Sequence, residues 1–210
     1  MTANYNEEQA LQSGAPPQAS DRCARADRRV AVVMWQTLAT RVAYRSPLFL
    51  VREDQVIRPD GEAGCYAVIE MPAAVGIVAV DEDGKVALVS QWRYPHRRMS
   101  LEIPTGAVEG GEDVLDAAAR ELAEETGLVA SRWRSLGTID TSNGSTTEVA
   151  HLFQAESLSL SPPVDGDPIE RTQLSWLDLE EAVRLAARGD IVEAASVAAL
   201  FRARYGLCAP

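Results

Sequence analysis

Apolar residues recur with strand-like spacing only after the first thirty or so positions. From Val30 to Met71 the pattern is β-like. Leu48–Ile57 and Cys65–Ile69 flank Arg58-Pro59-Asp60-Gly61, whose Pro-Asp-Gly is a strong turn signal, so a small amino-terminal sheet is expected. Ala74–Val80 and Lys85–Gln91 surround Asp81-Glu82-Asp83-Gly84 and read as a second hairpin, apolar enough for the central core. From Asp113 to Thr126 the period changes to that of a helix, with Leu115, Ala118 and Leu122 on one face and Gly127 as a stop.

Trp133–Ile139 and Glu148–Ala155 are strand-like, and a polar loop from Ser159 to Pro168 leads to a short strand, Leu174–Leu177. Leu179–Arg188 and Ile191–Tyr205 read as the closing helices. Strands and helices mixed without strict alternation predict an α+β sandwich rather than a doubly wound nucleotide fold. The length of 210 residues suits one core with a smaller lobe. The expected division is a flexible tail at 1–29, an amino-terminal β lobe at 30–72 and the main domain at 73–210.

Composition narrows the chemistry. Hydrophobic residues make up 46% and charged residues 24%, the balance of a globular protein, and no apolar run approaches the roughly 18 residues that span a bilayer. The amino terminus lacks a basic start followed by an apolar stretch, so a cytoplasmic, membrane-free location is expected. Cys23, Cys65 and Cys208 are scattered, and His96 and His151 are the only histidines, so a multi-histidine zinc site cannot be built within one chain. Any metal should be hard and oxygen-bound. A net charge of −11 argues against a nonspecific nucleic-acid partner.

The chemistry concentrates in residues 106–128, GAVEGGEDVLDAAARELAEETGL. Helical spacing puts Glu121, Glu124 and Glu125 on one face, where like charges cost about 0.2–0.5 kcal/mol per pair unless a cation joins them. Carboxylate oxygens suit magnesium, or manganese, and metals held this way also bind phosphates. A solvated acidic helix face is the ordinary explanation of a short charge run. Here, however, Gly106, Glu112, Arg120, Glu121, Leu122, Glu124, Glu125, Gly127 and Leu128 fill every specified position of G-x5-E-x7-R-E-U-x-E-E-x-G-U, where U is a bulky aliphatic residue.

This stretch resembles the Nudix box. The resemblance implies an α/β/α sandwich in which Glu121 and Glu125 are the principal ligands of Mg2+ (Mn2+ possible), with Glu124 as a further ligand. It also implies a supporting Glu112–Arg120 pair and a metal contact from the backbone carbonyl of Thr105. The expected reaction is hydrolysis of a phosphoryl bond without a covalent intermediate.

Upstream, LVSQWRYPHRRMSLEIPTG resembles the ADP-ribose pyrophosphatase branch, through Gln91, Arg93, Tyr94, Glu102, Pro104 and Gly106. Cleavage of ADP-ribose to AMP and ribose 5-phosphate is the implied activity, with Arg93, Gln91 and Glu102 as candidate substrate-binding residues. Arg93 offers a planar fork of donors for phosphate. Its bland alternative is a surface arginine at a strand end; that of Glu102 is an ion pair with Arg97 or Arg98. Tyr44, Tyr66 and Trp92 could stack a base, but aromatic residues in strands more often pack.

The branch also implies a homodimer through the amino-terminal lobe, with a small nucleoside diphosphate compound as substrate. Asp165, Asp167 and Glu170 lie in the late loop where the branch carries its general base; Glu170 and Asp167 are the candidates, unless they are ordinary exposed loop acids. Where relatives commonly carry a proline after the box, this chain reads Asp140-Thr141-Ser142-Asn143-Gly144-Ser145-Thr146-Thr147-Glu148. That departure leaves room for another nucleoside-diphosphate sugar or nucleotide. A noncatalytic nucleotide sensor on the same fold is the alternative of a different class, and the complete glutamate set argues against it.

Overall fold

The computed structural model describes residues 34–162 and 173–206. The tail expected at 1–29 and the candidate bases Asp165, Asp167 and Glu170 lie outside the described residues.

The first three strands form one antiparallel sheet: β1 (Gln36–Arg45), β2 (Leu50–Ile57) and β3 (Ala63–Glu70), in the order β1-β2-β3. The Pro-Asp-Gly turn joins β2 to β3, closed by Arg58 N–H to Glu62 O at 2.8 Å. β1 is exposed along its whole length and carries two register shifts against β2.

The core is built on two further sheets. β7 (Thr105–Ala107), β4 (Ala74–Ala79), β9 (Val149–Leu160) and β8 (Leu128–Asp140) form the first, in that order, with β4 and β9 parallel. β10 (Gln173–Asp178), β5 (Lys85–Arg93) and β6 (Arg98–Glu102) form the second. Helices cover both sides. α1 (Val114–Thr126) packs against β4, β7 and β8; α3 (Ala194–Tyr205) packs against β4, β8 and β9, with α2 (Leu179–Arg188) beside it.

The alternation of strand side chains explains this layering. Val75, Ile77 and Ala79 of β4 face the cluster that holds Ala117, Ala118 and Leu122 of α1. Val78 faces the opposite cluster, with Leu136, Leu152, Ala199 and Leu200. β9 divides in the same way: Phe153 and Ala155 go to one side, Ala150 and Leu152 to the other. With both faces buried, these strands read as continuous apolar runs.

That double burial corrects the expected second hairpin. The turn at Asp81–Gly84 does close, with Asp81 N–H to Lys85 O at 2.9 Å, but β4 and β5 share only the isolated bridge Val80–Val86 and then diverge into different sheets. An apolar run buried on both sides does not name its neighbour. Two short strands, β6 and β7, were not expected at all; they take up the segment that carries Glu102 to Gly106 into the site.

Candidate active site

α1 presents the carboxylates. Asp113 caps it by accepting the Leu115 N–H at 2.8 Å, and Gly127, at φ +69°, ends it with its N–H on Ala123 O. Ala117, Ala118 and Leu122 are buried, but Leu115, expected beside them, is exposed in the first turn. The core-facing stripe starts one residue pair later than the apolar pattern suggested. Glu121 and Glu125 lie buried on the side facing β7, with Glu124 half-buried beside them.

β7 meets this face closely. The Thr105 N–H donates to Glu125 Oε2 at 2.9 Å. At Gly106 a Cβ would stand 1.9 Å from the Glu121 carboxyl carbon, so only a glycine lets the strand pass over that carboxylate.

Arg120 supplies the counter-charge. Its Nε and Nη2 each lie 3.0 Å from the Glu112 carboxylate, and Nη2 also donates to Ala107 O at 3.0 Å. Nη1 turns to the helix face, reaching Glu121 Oε1 at 2.6 Å and Glu124 Oε2 at 3.2 Å. These hydrogen bonds hold the Glu112 carboxyl below the usual glutamate range and raise the already high pKa of Arg120. Glu112 also accepts the Glu109 N–H at 3.1 Å, so the loop before α1 is tied to the helix at both ends.

Among the described residues, no three His, Cys, Asp or Glu side chains are already gathered as a metal cage. Arg120 stands where cationic charge is needed. The donors nevertheless suit a hard divalent ion: Glu121, Glu124 and Glu125 offer only oxygen, and Glu121 and Glu124 line a cavity.

Arg93 enters from the end of β5. It forms a bidentate pair with Glu102, using Nε at 3.1 and 3.2 Å and Nη2, and Glu102 is almost fully buried behind it. Glu102 thus pairs with Arg93 rather than with Arg97 or Arg98, and breaking such a pair strands a buried charge at a cost of about 3–5 kcal/mol.

A cavity of about 460 Å³ brings these groups together. Arg93, Thr105, Gly106, Glu121 and Glu124 line it, together with Thr141, Glu148 and Glu193. Gln91 is buried in β5 opposite Ser100 and does not reach the cavity wall; Glu102 and Glu125 also stand behind it. The aromatic candidates lie elsewhere. Tyr66 packs edge-on against Trp35 and donates to Gly144 O at 2.7 Å; Tyr44 packs on Phe49; Trp92 is exposed.

Thr141, Glu148 and Glu193 were not read from the sequence. Thr141 donates to Glu148 across the loop that departs from the expected proline segment, and only the pairing of β8 with β9 brings them together. Glu193, expected inside a helix from Ile191, instead stands just before α3 as its cap, where it accepts the N–H groups of Ala195 and Ser196.

A capped glutamate helix packed under a glycine-bearing strand, on a sandwich with helices on both faces, defines a Nudix hydrolase. The family profile described as "NUDIX domain" matches residues 70–200, and the chain belongs to that family. A second profile, "Nucleoside diphosphate sugar hydrolase N-terminal domain", matches residues 35–69, the small sheet.

Among relatives, an ADP-ribose pyrophosphatase of Mycobacterium tuberculosis is 34% identical over 167 residues, 78% of this chain and 80% of that protein. An ADP-ribose pyrophosphatase of Bacillus subtilis is 32% identical over 166 residues, 79% of this chain and 90% of that protein. A solved structure titled "Crystal structure of ADP compounds hydrolase" superposes with a TM-score of 0.72 at 25% identity, covering 81% of this chain and 92% of that one. No helix among the described residues is long and apolar enough to cross a membrane.

Proposed function

We propose that this hydrolase cleaves the pyrophosphate of ADP-ribose, using water to give AMP and ribose 5-phosphate. The observation that carries the reading is that Glu121 and Glu124 of α1 and Arg93 open onto one cavity large enough for a small ligand. The named activity of both relatives supports the substrate.

In this reading Glu121, Glu124, Glu125 and the Thr105 carbonyl hold Mg2+, or Mn2+. When bound, the ion offsets the charge of the pyrophosphate and lowers the pKa of water. The residues supply the rest. Arg93, steadied by Glu102 and the buried Gln91 strand, orients a phosphate oxygen through its planar fork. Glu112 and Arg120 keep the loop before α1 in place. Asp167 or Glu170 takes the proton from the attacking water.

The unit we propose is a cytoplasmic homodimer, with residues 30–72 forming the lobe that pairs two chains. Exposed Trp35, Leu38, Val42 and Tyr44, on and beside a strand with no burial of its own, support that pairing. A second reading keeps the mechanism and changes the sugar: the match of the small sheet to a nucleoside diphosphate sugar hydrolase domain favours other substrates of that class.

The deciding experiment is a magnesium-dependent turnover screen of ADP-ribose, other sugar nucleotides, dinucleotides and nucleoside triphosphates, with products identified by mass. AMP and ribose 5-phosphate as the preferred products, with turnover reduced at least 100-fold in Glu125→Gln, is the expected result. Preference for another sugar nucleotide would transfer the assignment to the second reading. Absence of turnover with every substrate, with metal bound, would favour a sensor.

A further inference from the structure

The chain crosses from the three-stranded core sheet to the four-stranded one through Glu102-Ile103-Pro104, between β6 and β7. This crossing separates the two halves of the site. Glu102, at its start, is the buried partner of Arg93; Thr105, at its end, donates its N–H to Glu125.

Successive backbone groups of the crossing are held from different directions. Pro104 O accepts the Ile77 N–H of β4 at 2.9 Å, and the Ile103 N–H donates to Ser196 Oγ of α3 at 3.1 Å. Ser196 is fully buried and ninety-three positions away in sequence. Its hydroxyl donates in turn to Glu193 Oε2 at 2.7 Å, while the two Glu193 oxygens accept the N–H groups of Ala195 and Ser196 at 2.8 and 2.6 Å. The close approach is possible because β4 has Gly76 at this point, where a Cβ would lie 3.2 Å from Ile103 Cδ1 and 3.6 Å from Ala195 Cβ.

A helix cap alone would not require the hydroxyl. Glu193 already satisfies the end of α3, so Ser196 Oγ is available to do something else: it receives an amide from the strand crossing that serves the site. Glu193 also lines the cavity, which places the outer end of this relay at the ligand wall.

We propose that Ser196 and Glu193 are positioning residues for the reaction. Together they fix the Ile103 amide, and through it the registration of the Thr105–Glu125 contact against the Arg93–Glu102 pair. The inference rests on the hydrolase reading of the site. Its chemistry is geometric: neither residue moves a proton in the reaction, and a displacement of about 1 Å at such a hinge can cost on the order of 100-fold in rate.

The test compares full-length wild type with Ser196→Ala, Ser196→Thr and Glu193→Gln. Mn2+ affinity is read by electron paramagnetic resonance without substrate, and kcat and KM are measured separately on the preferred substrate. For Ser196→Ala the expected result is Mn2+ affinity weakened about tenfold, kcat reduced at least tenfold and KM within about threefold. Ser196→Thr, which keeps the hydroxyl, should return both values to within about threefold of wild type. Glu193→Gln should shift them in the same direction as alanine, by a smaller factor.

Partial unfolding alone would reduce the number of metal sites without moving their affinity. A Ser196→Ala protein that melts earlier but retains wild-type Mn2+ affinity and kcat would overturn the proposal, as would failure of threonine to restore them. Should Ser196→Ala not fold, Glu193→Gln carries the same comparison, and wild-type Mn2+ affinity and kcat in that variant would overturn it. Wild type that binds Mn2+ but cleaves none of the substrates would overturn the hydrolase reading instead, while the affinity comparison still decides the role of Ser196.

Discussion

At Gly106 the space left for a side chain is negative. A methyl group there would overlap the Glu121 carboxylate, so Gly106→Ala must displace β7 or the glutamate, and either movement disturbs the carboxylate face that we propose holds the metal. We expect turnover to fall at least 100-fold, with a lower melting temperature, measured by steady-state kinetics and thermal denaturation. Glu112 gives a prediction of different form. Because Arg120 holds its carboxyl below the usual glutamate range, the pair stabilises the fold fully above about pH 4.3, the ordinary glutamate value. That contribution is lost as pH falls through the lowered folded value. The melting-temperature gap between wild type and Glu112→Gln should therefore be constant near neutrality and close below pH 4; a gap that widens in acid would contradict the assignment.

Elements differ in how openly they declare themselves. α1 was legible because period and stop are local signals: Ala118, Leu122 and Gly127 fall where the spacing puts them, Leu115 being the exception, and the three glutamates lie within about one turn of each other. The same locality makes a measurable prediction. Asp113→Ala removes the acceptor for Leu115 N–H and should destabilise the protein by about 1 kcal/mol, seen as a lower denaturant midpoint at unchanged slope. Strand partnership was not legible in this way. β4 and β5 share a sound turn, yet their side chains are buried on both faces, so nothing in the run distinguishes a hairpin from two strands that part company. For the same reason Arg93 and the α1 glutamates were recognisable as candidates, whereas Thr141, Glu148 and Glu193 join them only after three distant segments meet.

On the scale of the whole molecule, the charge of −11 means that the cavity cannot draw in an anion through the overall field; local cations must do so. The exposed apolar residues on β1 make the pairing of two chains the next measurable property. Sedimentation should return twice the chain mass for wild type and about one chain mass for Val42→Glu, and a wild-type monomer would rule the pairing out. The small sheet is also sewn to the rim of the cavity. Ile69 N–H donates to Ser145 O at 2.8 Å, Thr147 N–H returns to Ile69 O at 3.0 Å, and Tyr66 reaches Gly144. Those stitches fall in the loop that ends at Thr141 and Glu148. A substitution confined to the outer sheet therefore has a route to the cavity wall: it can shift Thr141 and Glu148 without replacing any cavity-lining residue.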